Sequence, residues 1–261
     1  MAERALAITM TFYEAQAHEQ PVFPEAAYSG VCRIEAPFSA GTGFFFEFQS
    51  TQRKYQGFLT CNHVIVAERS TIREKKERVN IHFENNNKAG IKTDDFVTLK
   101  EIVDGKPIVS YDLDFYYINI KQSFYEQVTQ SNTIRFLKPL RGIKCDNLLL
   151  VHYPRGGGRQ ISPVHLVVES KDVQKIDYYS NCDLGSSGGP LIVVDRQGSD
   201  AFAFGMHRAR NKELKFGSAL LLEYIIADII KQTEKQLVDL PPQLSEQLSR
   251  FNLSISIIFL Y

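Results

Sequence analysis

One short run of the chain has the residue types that nucleophilic chemistry needs. The run Gly-Ser-Ser-Gly-Gly-Pro occupies residues 185–190 and contains Ser187. A serine hydroxyl is a poor nucleophile at its ordinary pKa, so it needs a neighbouring base and a site that stabilises the developing oxyanion. Glycines on both sides allow a sharp turn in which backbone N–H groups face one point. Because such turns are common, the prediction of a catalytic serine depends on a base and an acid elsewhere.

A histidine and an aspartate occur at compatible places. His63 follows the apolar run 55–59 within Thr-Cys-Asn-His-Val-Ile, and Asp114 directly precedes the run Phe-Tyr-Tyr-Ile. We therefore expect both at the ends of strands. The chain order histidine, aspartate, serine predicts a catalytic triad of His63, Asp114 and Ser187. Asp112 remains an alternative acid, because residues two apart on an extended strand face the same side.

These motifs resemble those of the trypsin-like serine proteases with the chymotrypsin fold, in their intracellular, HtrA-type branch. The similarity covers roughly residues 30–232 and includes all three motifs. Segments 151–156, 206–207 and 216–218 also resemble the vertebrate nuclear trypsin-like proteases that clear DNA–protein crosslinks. The resemblance implies a serine endopeptidase that hydrolyses peptide bonds through an acyl-enzyme, without a metal or an organic cofactor.

The resemblance also implies roles for the residues of the serine turn. The backbone N–H groups of Gly185 and Ser187 would form the oxyanion hole. Within Gly-x-Ser-Gly-Gly the pattern selects Ser187 over Ser186 as the nucleophile. Secreted trypsins carry an aspartate at the position of Ser186, where it pairs with a new N-terminus. An uncharged residue there predicts that this chain is not activated as a secreted zymogen.

Substrate contacts follow from the same resemblance. Asn181 would lie near the base of the pocket for the residue that precedes the cut. His207, Arg208 and Ala209 belong to a segment that would pair with the substrate backbone. Glutamate-cutting relatives keep a histidine at the position of His207, whereas the nuclear proteases favour aromatic residues, so both preferences stay open, as does a purely structural role of His207. The glycine-rich run 155–159 lacks the ending of a phosphate loop and is expected near the substrate cleft.

The elements that must position these residues are mainly strands. Short apolar and aromatic runs alternate with turn residues from Gly30 onward, which is typical of an all-β protein. We expect two six-stranded antiparallel β-barrels of the chymotrypsin type, with the histidine and the aspartate on the first and the serine on the second. The predicted strands are residues 31–34, 43–48, 57–61, 79–83, 96–101, 115–120, 134–137, 147–152, 164–169, 176–179, 190–194 and 201–207.

A polar connector and a helix complete the predicted organisation. The connector spans residues 122–132, and apolar residues at helical spacing predict a C-terminal α-helix at 219–232. The expected parts are a lead-in at 1–29, a first barrel at 30–121, a second barrel with the helix at 122–232, and an extension at 233–261.

Composition limits the partners. The chain has 30 basic and 30 acidic residues, so charge gives no strong signal for nucleic acid, and no apolar run is long enough to span a membrane. The N-terminal segment has no sustained apolar stretch, and the four cysteines are expected as reduced thiols, so we predict an intracellular protein.

The expected substrate is a protein or peptide, and the apolar tail 253–261 is expected to close a sheet edge or to bind a second copy or a regulatory partner. The alternative is a catalytically silent or partner-gated module that binds peptides.

Overall fold

The computed structural model of the chain describes residues 25–66, 79–84, 96–131, 133–140, 148–167, 172–194, 200–211 and 216–238. Most of the lead-in, Cys145 and the apolar tail lie outside these residues, so the predictions about them stay predictions. The described part consists of two mainly antiparallel β-sheets and a C-terminal helix.

The first sheet contains the predicted histidine and aspartate. Its strands are β1 Val31–Ala36, β2 Ser39–Gln49, β3 Lys54–Cys61, β4 Asn80–His82, β5 Phe96–Thr98, β6 Ile108–Ser110 and β7 Phe115–Asn119. They lie in the order β5-β4-β1-β2-β3-β7-β6, and each neighbouring pair is antiparallel. Phe45 is fully buried at the centre of an aromatic core. Its ring lies 5.5–5.9 Å from the rings of Phe58, Phe83, Phe124 and Phe136.

The second sheet contains the predicted serine. Its strands are β8 Lys138–Pro139, β9 Leu148–His152, β10 Gln160–Pro163, β11 His165–Val167, β12 Lys175–Tyr179, β13 Pro190–Val194, β14 Ala201–Asn211 and β15 Phe216–Leu221. Seven of them follow the order β10-β9-β13-β14-β15-β12-β11, and β8 pairs in parallel with β14.

The predicted fold class is confirmed, while the strand counts differ. The described sheets have seven and eight strands, whereas six each were predicted. Strands β6, β8, β10 and β15 were not predicted. The predicted strand 134–137 contributes only a bridge between Phe46 and Leu137, directly before β8. Strand β14 continues to Asn211, beyond its predicted end at His207.

Helices replace two predicted features, and the predicted C-terminal helix begins three residues later than expected. The α-helices are α1 Asn62–Ile65, α2 Leu99–Ile102, α3 Gln122–Gln130 and α4 Leu222–Val238, and short 3₁₀ helices lie at Glu25–Tyr28 and Pro154–Gly156. The predicted strand 96–101 turns into α2, because the Glu101 carboxylate accepts the Thr98 N–H at 2.7 Å, as in a capping box. The polar connector is the helix α3. The C-terminal helix starts at Leu222, since Ala219 still pairs with His207 in the sheet. No helix in the described ranges combines the length and the apolar character needed to cross a membrane.

Three of the four cysteines fall within the described residues. Cys32, Cys61 and Cys182 are free and buried, as expected. Burial raises the pKa of the Cys32 and Cys61 thiols well above the ordinary value, so both stay protonated.

The two sheets are joined by hydrogen bonds at the serine turn. In β2, the Thr42 N–H donates to the Ser187 carbonyl at 2.8 Å, and the Thr42 hydroxyl donates to the Gly185 carbonyl at 2.8 Å. In β3, the Cys61 thiol donates to the His207 carbonyl at 3.3 Å. The first sheet therefore contacts the serine turn and β14 directly.

Candidate active site

His63 and Asp114 form a doubly hydrogen-bonded pair. His63 lies on the one-turn helix α1, immediately after β3. Its backbone N–H donates to Asp114 Oδ1 at 3.0 Å, and its ring Nδ1 lies 2.7 Å from Asp114 Oδ2. A carboxylate can only accept, so neutral His63 has its proton on Nδ1 and a free lone pair on Nε2. About half of the His63 side chain is exposed (49%), so the Nε2 side is open to a ligand.

Asp114 is held in its ionised form. Burial by itself would raise the pKa of Asp114, but the hydrogen bonds from His63 and the nearby Arg208 guanidinium outweigh burial and hold the pKa below its ordinary value. Arg208 Nε lies 3.4 Å from Asp114 Oδ2. The pair therefore has the charge that would stabilise a protonated His63.

The structure distinguishes the two candidate acids. Residues 111–114 form a turn and not a strand, so Asp112 and Asp114 do not share a side. Asp114 has a φ of 55°, and strand β7 begins only at Phe115. Asp112 is exposed, and Asp114 is the acid that contacts His63.

Ser187 is partly buried and lies in the turn just before β13 of the second sheet. Its hydroxyl donates to the Arg208 carbonyl at 3.2 Å, and its own carbonyl accepts the Thr42 N–H. The adjacent Gly188 N–H donates to the His207 carbonyl at 2.8 Å. Arg208 thus contacts both halves of the site, since its backbone accepts from Ser187 and its side chain lies against Asp114.

Gly185 forms the bend before the serine. The Ser186 N–H donates to the Asp183 carbonyl at 3.0 Å, and Gly185 has a φ of 86°, as the third residue of a type II turn does. A Cβ at Gly185 would lie 2.6 Å from the Tyr153 carbonyl oxygen. Both the backbone angle and the contact therefore require glycine here.

The same turn orients two backbone N–H groups. The Leu184 carbonyl accepts the Arg155 N–H, which belongs to the glycine-rich loop. The carbonyl and the N–H of one trans peptide face opposite ways, so the Gly185 N–H faces away from that loop. Within the described residues, neither the Gly185 N–H nor the Ser187 N–H has an acceptor. The predicted oxyanion donors are thus available to a ligand, and the glycine-rich loop lies beside them, as expected.

A pocket of ≈ 260 Å³ opens beside Ser187, and its lining residues are Asp183, Leu184, Ser187, His207 and Arg210. His207 is buried, and its Nδ1 lies 2.5 Å from the Tyr178 hydroxyl. Burial, with a smaller contribution from the other two histidines nearby, lowers the pKa of His207 to about 3, so the ring is neutral. Asp183 is paired with Arg155 at 2.7 Å.

Asn181 and Arg208 lie differently from the expectation. Asn181 is exposed and is not among the described residues that line the pocket. The Arg208 side chain is directed to Asp114. The register of β14 against β15 shifts between His207 and Ala209, so Arg208 is the bulged residue, and a bulge re-aims a side chain. Ala209 stays in the ladder opposite Ser218.

Sequence reasoning missed two lining residues, Asp183 and Leu184, although both directly precede Gly185. Their position directly before the serine motif in the sequence could have indicated them.

One group of side chains at the site has the donor types of a metal centre. Ligand atoms of Cys61, His63 and Asp114 all lie within 4.8 Å of one another. The Cys61 thiol is protonated and donates to a carbonyl, and the His63–Asp114 contact is a hydrogen bond. Hydrogen bonding explains this arrangement, and we assign no metal to it.

Comparison with protein-family models and with curated proteins finds no match, whereas comparison with solved structures does. The serine endoprotease from Yersinia pestis has a TM-score of 0.51 and 15% identity, over 82% of this chain and 65% of its own. Deg5 has a TM-score of 0.50 and 17% identity, over 78% and 88%. The HtrA-type protease AlgW, solved with a tripeptide, has a TM-score of 0.50 and 15% identity, over 78% and 60%. The chain has the fold of these serine proteases. At such identities the likeness concerns the fold alone.

Proposed function

We propose that this chain is a serine endopeptidase with Ser187 as nucleophile, His63 as general base and Asp114 as the acid that orients the base. One observation carries the proposal. The Asp114–His63 pair and the Ser187 turn, whose two N–H groups have no acceptor among the described residues, are joined through Arg208 beside a pocket. A base with its orienting acid, a hydroxyl and a free pair of donors are the components that acyl transfer needs.

The proposed reaction starts with a rotation of the Ser187 hydroxyl from the Arg208 carbonyl toward His63 Nε2. Such contacts are often loose without substrate and tighten when it binds. Ser187 transfers its proton to Nε2 and attacks the carbonyl carbon of the scissile bond. Asp114 stabilises the resulting imidazolium, and the N–H groups of Gly185 and Ser187 bind the oxyanion. His63 then protonates the leaving amine, and water attacks the acyl-enzyme by the same route.

For substrate choice, we propose that the pocket receives the side chain before the cut and favours an acidic one. Burial raises the pKa of Tyr178 well above its ordinary value, so its hydroxyl keeps its proton and donates to His207 Nδ1. Neutral His207 then has an N–H at Nε2, and Arg210 adds a positive charge. The carboxylate of Asp183 is already bound by Arg155. Ala209 and its neighbours in β14 would pair with the substrate backbone.

A peptide library tests this preference. We expect cleavage after glutamate or aspartate, and we expect Arg210→Ala to reduce that preference while cleavage elsewhere continues. A preference for aromatic residues, as in the nuclear proteases that the sequence resembles, would contradict the acidic assignment.

A fluorophosphonate probe tests the activity itself. We expect covalent labelling of the native chain, no labelling of Ser187→Ala, and full labelling of Ser123→Ala, which changes an exposed serine on α3. A folded chain that binds peptides but never reacts with the probe would instead be the silent binding module. An intracellular location, activation without zymogen cleavage, and a partner at the C-terminal extension remain predictions from the sequence.

A further inference from the structure

A chain of hydrogen bonds links buried side chains next to the serine turn. His152 is fully buried, with Nδ1 2.7 Å from Ser186 Oγ and Nε2 3.0 Å from Ser162 Oγ. The Ser162 hydroxyl donates to the Asn181 carbonyl at 3.2 Å, and the Ser186 hydroxyl accepts the Asp183 N–H at 3.0 Å. The proposed reaction uses none of the side chains of Ser162, His152 and Ser186.

The proton positions in this series of hydrogen bonds follow from its last side chain, Ser162. Ser162 has a single hydroxyl proton, which it donates to the Asn181 carbonyl, so Ser162 Oγ accepts the proton of His152 Nε2. Nδ1 of neutral His152 then accepts the Ser186 hydroxyl proton. Burial favours this neutral form, since it lowers the pKa of His152 to about 4. The hydroxyl and ring protons of Ser162, His152 and Ser186 thus all have acceptors while the three side chains stay neutral.

Ser186 lies between the two residues that provide the proposed oxyanion donors. Its hydroxyl is held from one side by the Asp183 N–H at the start of the turn and from the other by His152. These two bonds fix the side chain between Gly185 and Ser187, and so restrain the peptide planes that orient their N–H groups. A rotation of either plane would turn a donor away from the oxyanion.

We propose that His152 is a positioning residue that acts through Ser186 to hold the oxyanion turn. The inference rests on the proposed peptidase function. Ser186 has no charge to pair with an N-terminal ammonium, so the turn must be held in another way. A neutral series of hydrogen bonds does so, and it ends at the Asn181 carbonyl.

The test compares His152→Leu, His152→Asn, Ser186→Ala and the double variant His152→Leu/Ser186→Ala. Each is measured by active-site titration with a fluorophosphonate, then by kcat and KM on fluorescein-labelled casein, with thermal unfolding alongside. Titration separates a loss of folded sites from a loss of rate per site. His165→Asn is the matched control, because His165 is an exposed histidine of the same sheet.

We expect His152→Leu to lower kcat per titrated site about 10²-fold, as the loss of one oxyanion donor does, with KM little changed. His152→Asn should recover most of the loss, because its Oδ1 can replace Nδ1 as the acceptor from Ser186. Ser186→Ala should match His152→Leu, and the double variant should lose no more than either single change, since both remove the same contact. His165→Asn should react as the native chain does.

Several outcomes would overturn the inference. Native kcat per site in His152→Leu, equal losses in the Leu and Asn variants, or losses that multiply in the double variant would each do so. If the Leu variant does not fold, the Asn and Ser186→Ala variants still decide. A native chain that does not react with the probe would overturn the peptidase proposal and this inference together, whereas native reactivity with an unaffected His152→Leu overturns this inference alone.

Discussion

The two halves of the candidate site are held in place by different interactions. In the first sheet, a charged carboxylate holds His63 by two hydrogen bonds, and half of the His63 side chain stays exposed. In the second sheet, the serine turn is held by a glycine at positive φ and by buried uncharged groups. A group that must gain and lose a proton benefits from a nearby charge. Backbone donors that must not move benefit from rigid packing and neutral hydrogen bonds.

The largest expected effect comes from removing the charge in the first half. Asp114→Asn replaces an acceptor by a donor opposite His63 Nδ1, so the ring takes the wrong tautomer. We expect kcat to fall about 10⁴-fold, measured on a peptide substrate. Asp112→Asn is the control and should have native kcat. The opposite result for the two variants would move the acid to Asp112.

The next largest effect comes from Gly185→Ala in the second half. Alanine is disfavoured at a φ of 86°, and its Cβ would lie 2.6 Å from the Tyr153 carbonyl oxygen, so the turn must change. We expect a loss of about 10²–10³-fold in kcat per titrated site. Gly105→Ala is a matched control, because Gly105 has a φ of 72° but a Cβ there meets nothing within 4 Å. It should cost about 1–2 kcal/mol of stability and leave kcat unchanged. Equal kcat losses in both would contradict a specific role of the turn.

Acid should lower the free energy of unfolding through the buried histidines of the second half. The pKa of His152 is lowered to about 4 and that of His207 to about 3, both by burial first, below the ordinary 6.5. The unfolded chain therefore binds protons more readily, so the free energy of unfolding is at its full value above pH 6.5 and falls as the pH drops toward 4. For His152 alone the loss is on the order of 3 kcal/mol. Urea unfolding across this range measures it, and a stability that rises on acidification would contradict it.

The smallest expected effect concerns Arg208, which contacts both halves. Arg208→Gln removes the guanidinium near Asp114 but keeps the backbone carbonyl that accepts from Ser187. The ion pair is partly exposed, so its loss should change stability by about 0.2–1 kcal/mol and kcat/KM by no more than about fivefold. The pKa of Asp114 should rise toward its ordinary value. A loss of activity as large as that of Asp114→Asn would mean that Arg208 takes part in the reaction.

Much of the fold and of the site could be predicted from local patterns. His63, Asp114 and Ser187 each lie in a short, uninterrupted motif that can be recognised in the sequence. Apolar alternation indicated most of the strands. The errors came where one pattern fits two structures. Residues 219–221 have helical spacing but pair in β15, and the polar residues 122–130 form a helix. Tertiary packing decided both. Residues 219–221 complete a sheet, where their backbone groups pair with strands distant in sequence. The helix at 122–130 packs Phe124, Tyr125 and Val128 against the core.

By itself, the sequence determined the reactive residue types, their order and the class of fold. Each of these depends on short-range features such as motif spacing, glycine content and apolar periodicity. Only the tertiary structure decided that Asp114 and not Asp112 meets His63, that Arg208 turns to Asp114, and that Ser186 is bonded to His152. These contacts join residues that lie far apart in the chain. They arise only when distant strands pair within each sheet and the two sheets pack together, so that buried polar groups must find partners.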